Sequence, residues 1–458
     1  MSLVSKSHSA KRSRSGSRRF LGVLAGMGLV LVTVGATAQN AIAAGATGGR
    51  IDLSSAPTWR LLSSHDVPPA REYGSMAYDP KAHEIVLFGG GGNSLNPLGD
   101  TWVWKGSGWA DVTPAHGPSA RLGASMAYDA ASGQLVLFGG VETERGLGGN
   151  GELNDTWTWN GTTWTELHPA SSPSARAYAS MAYDATTSQL VLFGGEDPNT
   201  RTFFGDTWTW NGAKWKDASV STNVLGARDT AAMAYDPARH DIVLFGGSTV
   251  LGTDLADTWT WNGTKWVQSA PAHSPSIRDS ASMGYDDATG QLVLFGGYHA
   301  GNLNDTWAWS GTTWTKLTPS KSPPARSAAT MAYDASTAQL LVFSGYPSLD
   351  DTWSWGVIYK TPGAPTSLKA TGGRLKVTLS WKAPPSDGGS AVTGYDVFEG
   401  TASHHESGKP VNASPLSTHA LTFVVTGLKK GHRYYFIVKA INVGGIGAAS
   451  NQASAVPS

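Results

Sequence analysis

The stretch "QLVLFGG" at residues 189–195 decides the fold, because close copies of it occur six times along the chain. An apolar run of this length that ends in glycine is typical of a strand buried on both faces. The string "LVLFGG" ends at Gly140, Gly195 and Gly297, the variant "IVLFGG" at Gly90 and Gly247, and the variant "LLVFSG" at Gly345. The chain is therefore built from repeated units of about 50 residues.

Each unit contains two further motifs in a fixed order. The tetrad "MAYD" or "MGYD" precedes the apolar run, and "DTWxW" follows it after a segment of variable length. The tetrads begin at Met76, Met126, Met181, Met233, Met283 and Met331. Tryptophans two positions apart lie on one face of a strand, and the Asn-Gly that often follows predicts a two-residue type I′ hairpin. Each unit therefore predicts four antiparallel strands, a to d, with a third tryptophan on strand d.

The tryptophan count predicts how the array closes. The sixth unit reads "DTWSWGVIYK" and lacks the tryptophan of strand d, whereas an orphan "PTWRLL" with Trp59 precedes the first unit. With Trp59 included, the repeats hold 18 tryptophans, three for each of six units. We therefore predict that strand 57–62 completes the last unit, because a closed ring removes the exposed strand edges of an open array.

The repeated motifs resemble those of a known family. The diglycine after an apolar strand, the tyrosine of "MAYD" and the paired tryptophans of "DTWxW" resemble kelch repeats over about residues 51–360. The resemblance implies an all-β fold in which residues 45–360 form a six-bladed β-propeller.

A second resemblance covers residues 365–458, which are similar to a fibronectin type III domain, an immunoglobulin-like β-sandwich. It rests on "LSW" with Trp381, on "GYDVF" with Tyr395, and on the alternating apolar residues after Tyr434. The resemblance implies that Tyr434 is the corner tyrosine, whose hydroxyl bonds upstream backbone. Residues 361–364 are the predicted linker between the two domains.

Residues 1–44 are predicted to be a secretory signal peptide. Six basic residues among the first 19 precede an apolar run at 20–38 and small-residue cleavage sites. The alternative is an uncleaved membrane anchor, because the apolar run nearly reaches spanning length. Cleavage would leave six more acidic than basic residues. No basic stripe then remains, so nucleic-acid binding is not expected.

The residue inventory limits the possible chemistry. The chain has no cysteine, which excludes disulfides and thiolate metal sites. Galactose oxidase and similar copper oxidases also join a kelch propeller to a sandwich domain, but their radical cofactor needs a cysteine cross-linked to a tyrosine. No nucleophile elbow, HExxH or phosphate loop occurs. Histidines recur before strand a without metal-ligand spacing, at His65, His116, His168 and His273. We therefore expect no cofactor and no bound metal.

Side chains that recur in every unit predict framework rather than a ligand site. An arginine stands five residues before each tetrad, at Arg71, Arg121, Arg176, Arg228, Arg278 and Arg326. The alternative is a cationic ring that attracts an anion to the channel mouth. The aspartate of "DTWxW", Asp100 in the first unit, is predicted to cap a turn. The other framework residues are Gly89, Gly90, Gly139, Gly140, Gly194, Gly195, Gly246, Gly247, Gly296, Gly297, Trp59, Trp102, Trp157, Trp208, Trp259, Trp307 and Trp353.

The b–c and d–a connections emerge on one face, the loop face, because successive strands run in opposite directions. The b–c connections vary from 5 to 14 residues, whereas the turns on the other face are nearly constant. Since loops on a rigid scaffold carry binding residues, the loop face is the predicted interaction surface. Its candidate contacts are Glu142, Glu144, Arg145, Glu152, Arg201, Phe203, Phe204, Tyr298, His299 and Tyr346.

These features favour a secreted or cell-surface monomer that binds rather than catalyses. Its loop face would recognise an extracellular polysaccharide or protein, since exposed aromatic side chains stack on sugars or anchor proteins. The alternative is a carbohydrate-active enzyme or an accessory component of polysaccharide degradation. Convergence of Glu142, Glu144 and Glu152 would favour that alternative. Membrane association is expected only if the N-terminal segment is retained.

Overall fold

A computed structural model describes residues 56–64, 66–92, 96–142, 151–220 and 225–458. These residues form β-strands and connections, so this part of the chain has no helix that could cross a membrane. The predicted signal peptide, residues 1–44, lies outside the described residues.

Six four-stranded antiparallel sheets form the blades of a propeller. Strands a are β2 (Ser75–Asp79), β6 (Ser125–Asp129), β10 (Ser180–Asp184), β16 (Ala232–Asp236), β20 (Ser282–Asp286) and β24 (Thr330–Asp334). Strands b are β3 (Glu84–Gly91), β7 (Gln134–Phe138), β11 (Gln189–Phe193), β17 (Asp241–Phe245), β21 (Gln291–Phe295) and β25 (Gln339–Phe343). Strand a of each blade contacts strand a of both neighbours, and the contact between β2 and β24 closes the ring.

The outer strands complete the predicted units, and the predicted all-β six-bladed propeller is confirmed. Strands c are β4 (Pro97–Trp104), β8 (Thr156–Trp159), β14 (Thr207–Trp210), β18 (Thr258–Trp261), β22 (Thr306–Trp309) and β26 (Thr352–Gly356). Strands d of the first five blades are β5 (Trp109–Asp111), β9 (Trp164–Leu167), β15 (Trp215–Asp217), β19 (Trp266–Ser269) and β23 (Trp314–Leu317). The b–c connection of blade 3 also forms a short hairpin of β12 (Glu196–Asp197) and β13 (Thr202–Phe203).

Strand b is apolar throughout because both of its faces lie between blades. In blade 3, Leu190 and Leu192 pack against blade 2, whereas Val191 and Phe193 pack against blade 4. All four side chains are buried. The continuous apolar run therefore corresponds to two buried faces, as the sequence predicts.

The two glycines after strand b let neighbouring blades approach each other. Gly139 and Gly140 have φ values of 66° and 102°, in the left-handed region that side chains disfavour. The N–H of Gly140 donates to the carbonyl oxygen of Arg176 in the next blade at 2.9 Å. A Cβ on Gly139 would lie only 2.6 Å from the same oxygen. The diglycine therefore makes room for a hydrogen bond between blades.

The sixth copy of the run has a serine in place of the first glycine, at the seam between the last and first blades. Ser344 has a φ of 60°. Its hydroxyl oxygen lies 2.7 Å from both the backbone nitrogen and the carbonyl oxygen of Arg71. Gly345 also donates to the Arg71 carbonyl at 2.9 Å. The departure from "FGG" therefore adds a polar contact where the ends of the ring meet.

The N-terminal strand β1 (Thr58–Leu62) is strand d of the last blade. It pairs antiparallel with β26, with Trp59 opposite Trp355. Trp59 is fully buried, and its ring centroid lies 4.8 Å from that of Phe295. Its Nε1 donates to Thr306 Oγ1 of the preceding blade at 2.9 Å. The strand-d tryptophans of the other five blades make the same bond, so β1 packs like every other strand d.

The connection between strands c and d differs from the predicted two-residue type I′ hairpin, and that prediction is wrong. In blade 2, Trp159 pairs with Trp164, which leaves a four-residue turn. Within this turn Gly161 has a positive φ of 100°, whereas Asn160 does not. The Oδ1 of Asn160 instead accepts the backbone N–H groups two and three residues ahead, at 3.0 and 2.9 Å. The asparagine therefore serves as a side-chain acceptor.

Two further sheets form the predicted C-terminal β-sandwich, which is confirmed. One sheet holds β27 (Thr366–Gly373), β28 (Lys376–Lys382) and β30 (Thr422–Thr426), and the other holds β29 (Gly394–Gly400), β31 (Tyr434–Asn442), β32 (Gly445–Ala449) and β33 (Ala453–Ala455). In the shared core, the ring centroids of Trp381 and Tyr395 are 5.5 Å apart. The Tyr434 hydroxyl accepts the N–H of Lys429 at 3.0 Å, the bond that the corner tyrosine implies.

The segment that precedes the sandwich is hydrogen-bonded to it. The N–H of Lys360 donates to Gly388 O at 2.9 Å, and Asn442 Nδ2 donates to the Lys360 carbonyl at 2.8 Å. The N–H of Gly363 donates to Ser386 O at 2.9 Å. The predicted linker, residues 361–364, is therefore hydrogen-bonded to the C-terminal domain through Gly363.

Candidate functional site

Each repeated arginine joins the d–a and b–c connections on the loop face. Arg176 donates to Gly194 O at 3.0 Å and to both carboxylate oxygens of Asp206 at 2.6 and 2.9 Å. Asp206 also accepts the Nε1–H of Trp208 at 2.8 Å. The other blades repeat the ion pair as Arg71–Asp100, Arg121–Asp155, Arg228–Asp257, Arg278–Asp305 and Arg326–Asp351. These aspartates are ion-pair partners and not the turn caps that we predicted, and the arginines are buried.

The arginine also sets the ionisation of its aspartate. Burial alone would raise the pKa of Asp206, but the hydrogen bonds and positive charge of Arg176 outweigh burial and lower the pKa below its ordinary value. The pKa values of four equivalent residues are lowered for the same reasons, at Asp100, Asp257, Asp305 and Asp351. These pairs are therefore ionised at neutral pH, which suits framework and not proton transfer.

Six residues form a hydrogen-bonded ring around the channel mouth. Each lies two positions after an arginine: Tyr73, Gly123, Tyr178, Thr230, Ser280 and Ala328. Each donates its backbone N–H to the carbonyl of its counterpart in the preceding blade, at 2.7 to 3.0 Å, and the sixth bond closes the circle. All six have φ between 51° and 68°, a left-handed conformation that costs about 1–2 kcal/mol for each non-glycine residue. The ring lines a central cavity of about 140 Å³.

A second set of residues surrounds the ring, and we call it the rim ladder. Its inner positions follow the arginines: Glu72, Leu122, Ala177, Asp229, Asp279 and Ser327. Its outer positions follow the diglycines: Gly91, Val141, Glu196, Ser248, Tyr298 and Tyr346. In every blade the inner and outer residues form an antiparallel bridge, which places their side chains next to each other. The rim ladder repeats in its backbone and not in its side chains, so it gives a symmetric scaffold an asymmetric surface.

Blades 3 to 5 make one side of the rim ladder acidic. Burial raises the pKa of Asp229 to about 7, and the charges of Glu196 and Asp279 add to the rise against a hydrogen bond from Thr230. Burial also raises the pKa of Asp279 to about 6, and the negative charge of Asp254 adds to the rise against a hydrogen bond from Ser280. Crowded, partly buried carboxylates of this kind mark a functional-site candidate.

Asp229→Asn should stabilise the protein at pH 8 and have little effect at pH 4. The pKa of Asp229 is about 7 in the folded chain, whereas an unfolded aspartate has a pKa of about 4. The folded state therefore binds more protons between these values, and stability falls as pH rises through that window. We expect a gain of about 1–3 kcal/mol in the free energy of unfolding at pH 8, measured by urea denaturation. A gain of equal size at pH 4, or a loss at pH 8, would contradict the buried charge, and the exposed Asp217→Asn is the control.

Blades 2 and 3 place an apolar cluster at another part of the mouth. The buried cluster there consists of Leu122, Val141 and Ala177. Tyr73 and Tyr178 pack against it with ring centroids 4.8 Å apart. A Cβ on Gly123 would lie 2.8 Å from the Tyr178 ring, which accounts for the one glycine in the hydrogen-bonded ring. The Tyr73 hydroxyl lies 3.4 Å from Ser280 Oγ, so this tyrosine extends across the mouth.

Of the predicted contacts in blades 2 and 3, several are engaged within the protein. Glu152 accepts a hydrogen bond from Asn199. The ring centroid of Phe204 lies 4.0 Å from the guanidinium carbon of Arg176. Phe203 pairs with a neighbouring strand in the β12–β13 hairpin. The remaining predicted contacts on these blades are Glu142 and Arg201, which are exposed, and Glu144 and Arg145, which lie outside the described residues.

The predicted contacts in blades 5 and 6 lie beside the acidic side of the rim ladder. Tyr298 and Tyr346 are exposed, and each occupies an outer ladder position. His299 Nδ1 lies 2.9 Å from Asp254 Oδ2. Asn302 Nδ2 donates to the Tyr346 carbonyl at 3.1 Å and links the two loops. The structure therefore brings these three predicted residues together with carboxylates that the sequence analysis did not select.

The acidic residues Asp229, Asp254 and Asp279 are not among the contacts predicted from the sequence. A signal was present, because the position after each repeated arginine differs between units and two of the six are aspartate. Asp254 and Asp279 interact electrostatically, because the negative charge of Asp254 helps to raise the pKa of Asp279.

The histidines of the d–a connections do not form a metal site in the described structure. His116, His168 and His273 are exposed, and His65 lies outside the described residues. In the part of the chain that the structure describes, no group of three His, Cys, Asp or Glu side chains could hold a metal ion.

Comparisons with known proteins agree with this architecture. The KLHDC2/KLHL20/DRC7 Kelch-repeats domain matches residues 50–212 and 184–357, and the fibronectin type III domain matches residues 363–456. Myomesin-2 of Homo sapiens is 40% identical over 75 residues, which are 16% of this chain and 5% of that protein. Titin of Drosophila melanogaster is 34% identical over 88 residues, which are 19% of this chain and, after rounding, 0% of that protein. The chain thus spans only a small part of these relatives.

Two solved structures are also similar to parts of the chain. The one described as "Structure of YjhT" is 16% identical with a TM-score of 0.49, and the match covers 64% of this chain and 95% of that one. The one described as "Titin kinase and its flanking domains" is 27% identical with a TM-score of 0.18, and the match covers 21% of this chain and 17% of that one.

The fold and the loop face together define a repeat-built propeller with an appended sandwich domain, an architecture of binding and interaction proteins. The kelch-repeat matches cover more than half of the chain. The chain belongs to the kelch-repeat family and carries a C-terminal fibronectin type III domain.

Proposed function

We propose that this chain is an exported, non-catalytic protein whose loop face recognises an extracellular polysaccharide or protein. The observation that carries the proposal is the contrast between two sets of loop-face residues. The arginine–aspartate pairs are the same in all six blades, whereas the rim ladder beside them differs from blade to blade. A surface that varies on an invariant support is where a scaffold protein places its binding residues.

The rim ladder has the chemistry of a binding surface. Tyr298 and Tyr346 are exposed aromatic side chains held by backbone bridges, and such side chains bind at low entropic cost. The carboxyl groups of Asp229 and Asp279 have raised pKa values because of their burial. Export is supported by the basic and apolar N-terminal sequence.

Replacing the b–c connection of blade 5 should weaken ligand binding. The full chain is screened on a glycan array and against a displayed random-peptide library, and the best ligand is then titrated. We expect a variant with residues 298–302 replaced by Gly-Ser-Gly-Ser-Gly to bind that ligand at least tenfold more weakly, because it lacks Tyr298 and His299. The matched control replaces residues 160–163, a turn on the opposite face, and should bind normally. Equal binding by both variants, or no ligand in either screen, would contradict the proposal.

A further inference from the structure

The loop face carries an exposed apolar patch on the b–c connections of blades 4 to 6. Val250 and Leu251 are 60% and 87% exposed, and Tyr298 and Tyr346 are 42% and 51% exposed. We call these four residues the apolar patch. They belong to three consecutive blades of a rigid ring, so they occupy one sector of the loop face. Large apolar side chains clustered on a surface mark an interaction site.

Carboxyl groups lie beside the apolar patch. Tyr298 is the bridge partner of Asp279, and Asp229 and Asp254 are both bridge partners of one serine. Bridge partners have Cβ atoms about 5 Å apart, so Asp279 lies next to Tyr298. Asp254 lies 2.9 Å from Nδ1 of His299, the residue after Tyr298, and Asp229 lies beside Asp254 across the shared serine. No lysine or arginine occupies a rim-ladder position. This sector therefore presents negative charge next to apolar surface.

Building on the proposed function, we propose that the partner is a protein segment that carries a lysine or arginine flanked by large apolar side chains. The cation pairs with the carboxylates of Asp229, Asp254 and Asp279, and the flanking side chains pack on the apolar patch. Charge complementarity of this kind sets specificity and the rate of association. Apolar anchors at the centre of such an interface supply most of its affinity.

The composition of the patch favours a protein over a polysaccharide. Sugar rings stack on aromatic faces, which Tyr298 and Tyr346 could provide, but Val250 and Leu251 have no such face. A neutral glycan would bring no positive charge to the carboxyl groups of Asp229 and Asp279, and an acidic glycan would be repelled by this sector. A basic, apolar segment satisfies both halves of the sector at once.

Selection of displayed random peptides against the full chain tests this inference. We expect the enriched peptides to contain lysine or arginine next to leucine, isoleucine, phenylalanine, tyrosine or tryptophan. The double variant Asp229→Asn/Asp254→Asn should bind the best peptide at least tenfold more weakly, and affinity should fall as salt increases. The matched control is Glu166→Gln, an exposed acid on strand d, which should leave affinity unchanged. Thermal unfolding of each variant verifies its fold.

A change in the peptide provides a test that does not depend on protein variants. Replacing the selected cation by glutamine in a synthetic peptide should weaken binding by a similar factor. Enrichment of peptides without a cation, or equal affinity of the glutamine peptide, would overturn the inference. A glycan bound at the loop face with no peptide enriched would also overturn it and would leave the proposed function intact. Failure to bind any peptide or glycan would overturn both.

Discussion

A chain that begins after Leu62 should melt about 10 °C or more below the intact chain. The truncation removes β1, which leaves the outer edge of β26 unpaired and uncovers Trp355. It also removes Trp59 from its contact with Phe295 and from its hydrogen bond with Thr306. Loss of one buried tryptophan side chain costs about 3–5 kcal/mol, and in a domain of this size each kcal/mol lowers the melting temperature by about 2–4 °C.

Two comparisons separate closure of the ring from a general effect of truncation. A chain that begins at Ala56 retains β1 and should melt like the intact chain. Trp59→Ala keeps the strand and removes only its anchor, so it should melt between the two truncations. An unchanged melting temperature after removal of β1 would show that the last blade does not need this strand.

Asp206→Ala should destabilise the protein by about 3–5 kcal/mol at pH 7. The substitution removes the carboxylate that neutralises Arg176, whose side chain is buried, and it leaves the Nε1–H of Trp208 without its acceptor. An uncompensated buried charge accounts for most of the expected loss. The measurement is the free energy of unfolding in urea. Glu166→Ala, which removes an exposed carboxylate, should change it by about 0.5 kcal/mol at most.

Acid should reduce the difference between the wild type and Asp206→Ala. The pKa of Asp206 is lowered in the folded chain, so the ion pair contributes stability above the ordinary aspartate pKa of about 4. That contribution is lost as pH falls through the lowered pKa. The wild type should therefore lose more stability than the variant between pH 5 and about pH 2. Parallel loss in both proteins would show that the pair does not contribute through its charge.

Much of the propeller could be predicted from the sequence because its rules are local and repeated. The apolar run at 189–195 corresponds to a strand between two blades, and the diglycine corresponds to close contact of backbones. The Asn-Gly turns show where local rules fail. Asparagine is common in turns for two reasons: it tolerates a left-handed backbone, and its side chain accepts hydrogen bonds from nearby backbone N–H groups. The sequence alone does not show which of these reasons applies to Asn160.

The candidate site was harder to predict because it depends on contacts between blades. The sequence marks Tyr298, His299 and Tyr346 as loop residues, but only the folded chain shows that Asp254 lies beside His299 and Asp279. The hydrogen-bonded ring is invisible in the sequence, since five of its six left-handed residues are not glycine. Phe204 is a predicted ligand contact, but its ring packs on the guanidinium group of Arg176. The sequence does not show this tertiary contact.

Hydrogen–deuterium exchange of the full chain, with and without its best-binding peptide or glycan, tests the central claim most directly. If the loop face is the recognition surface, the ligand should slow exchange in residues 248–256 and 298–304 and leave the turns on the opposite face, such as 160–163, unchanged. Protection confined to those opposite turns or to the fibronectin type III domain would contradict the account.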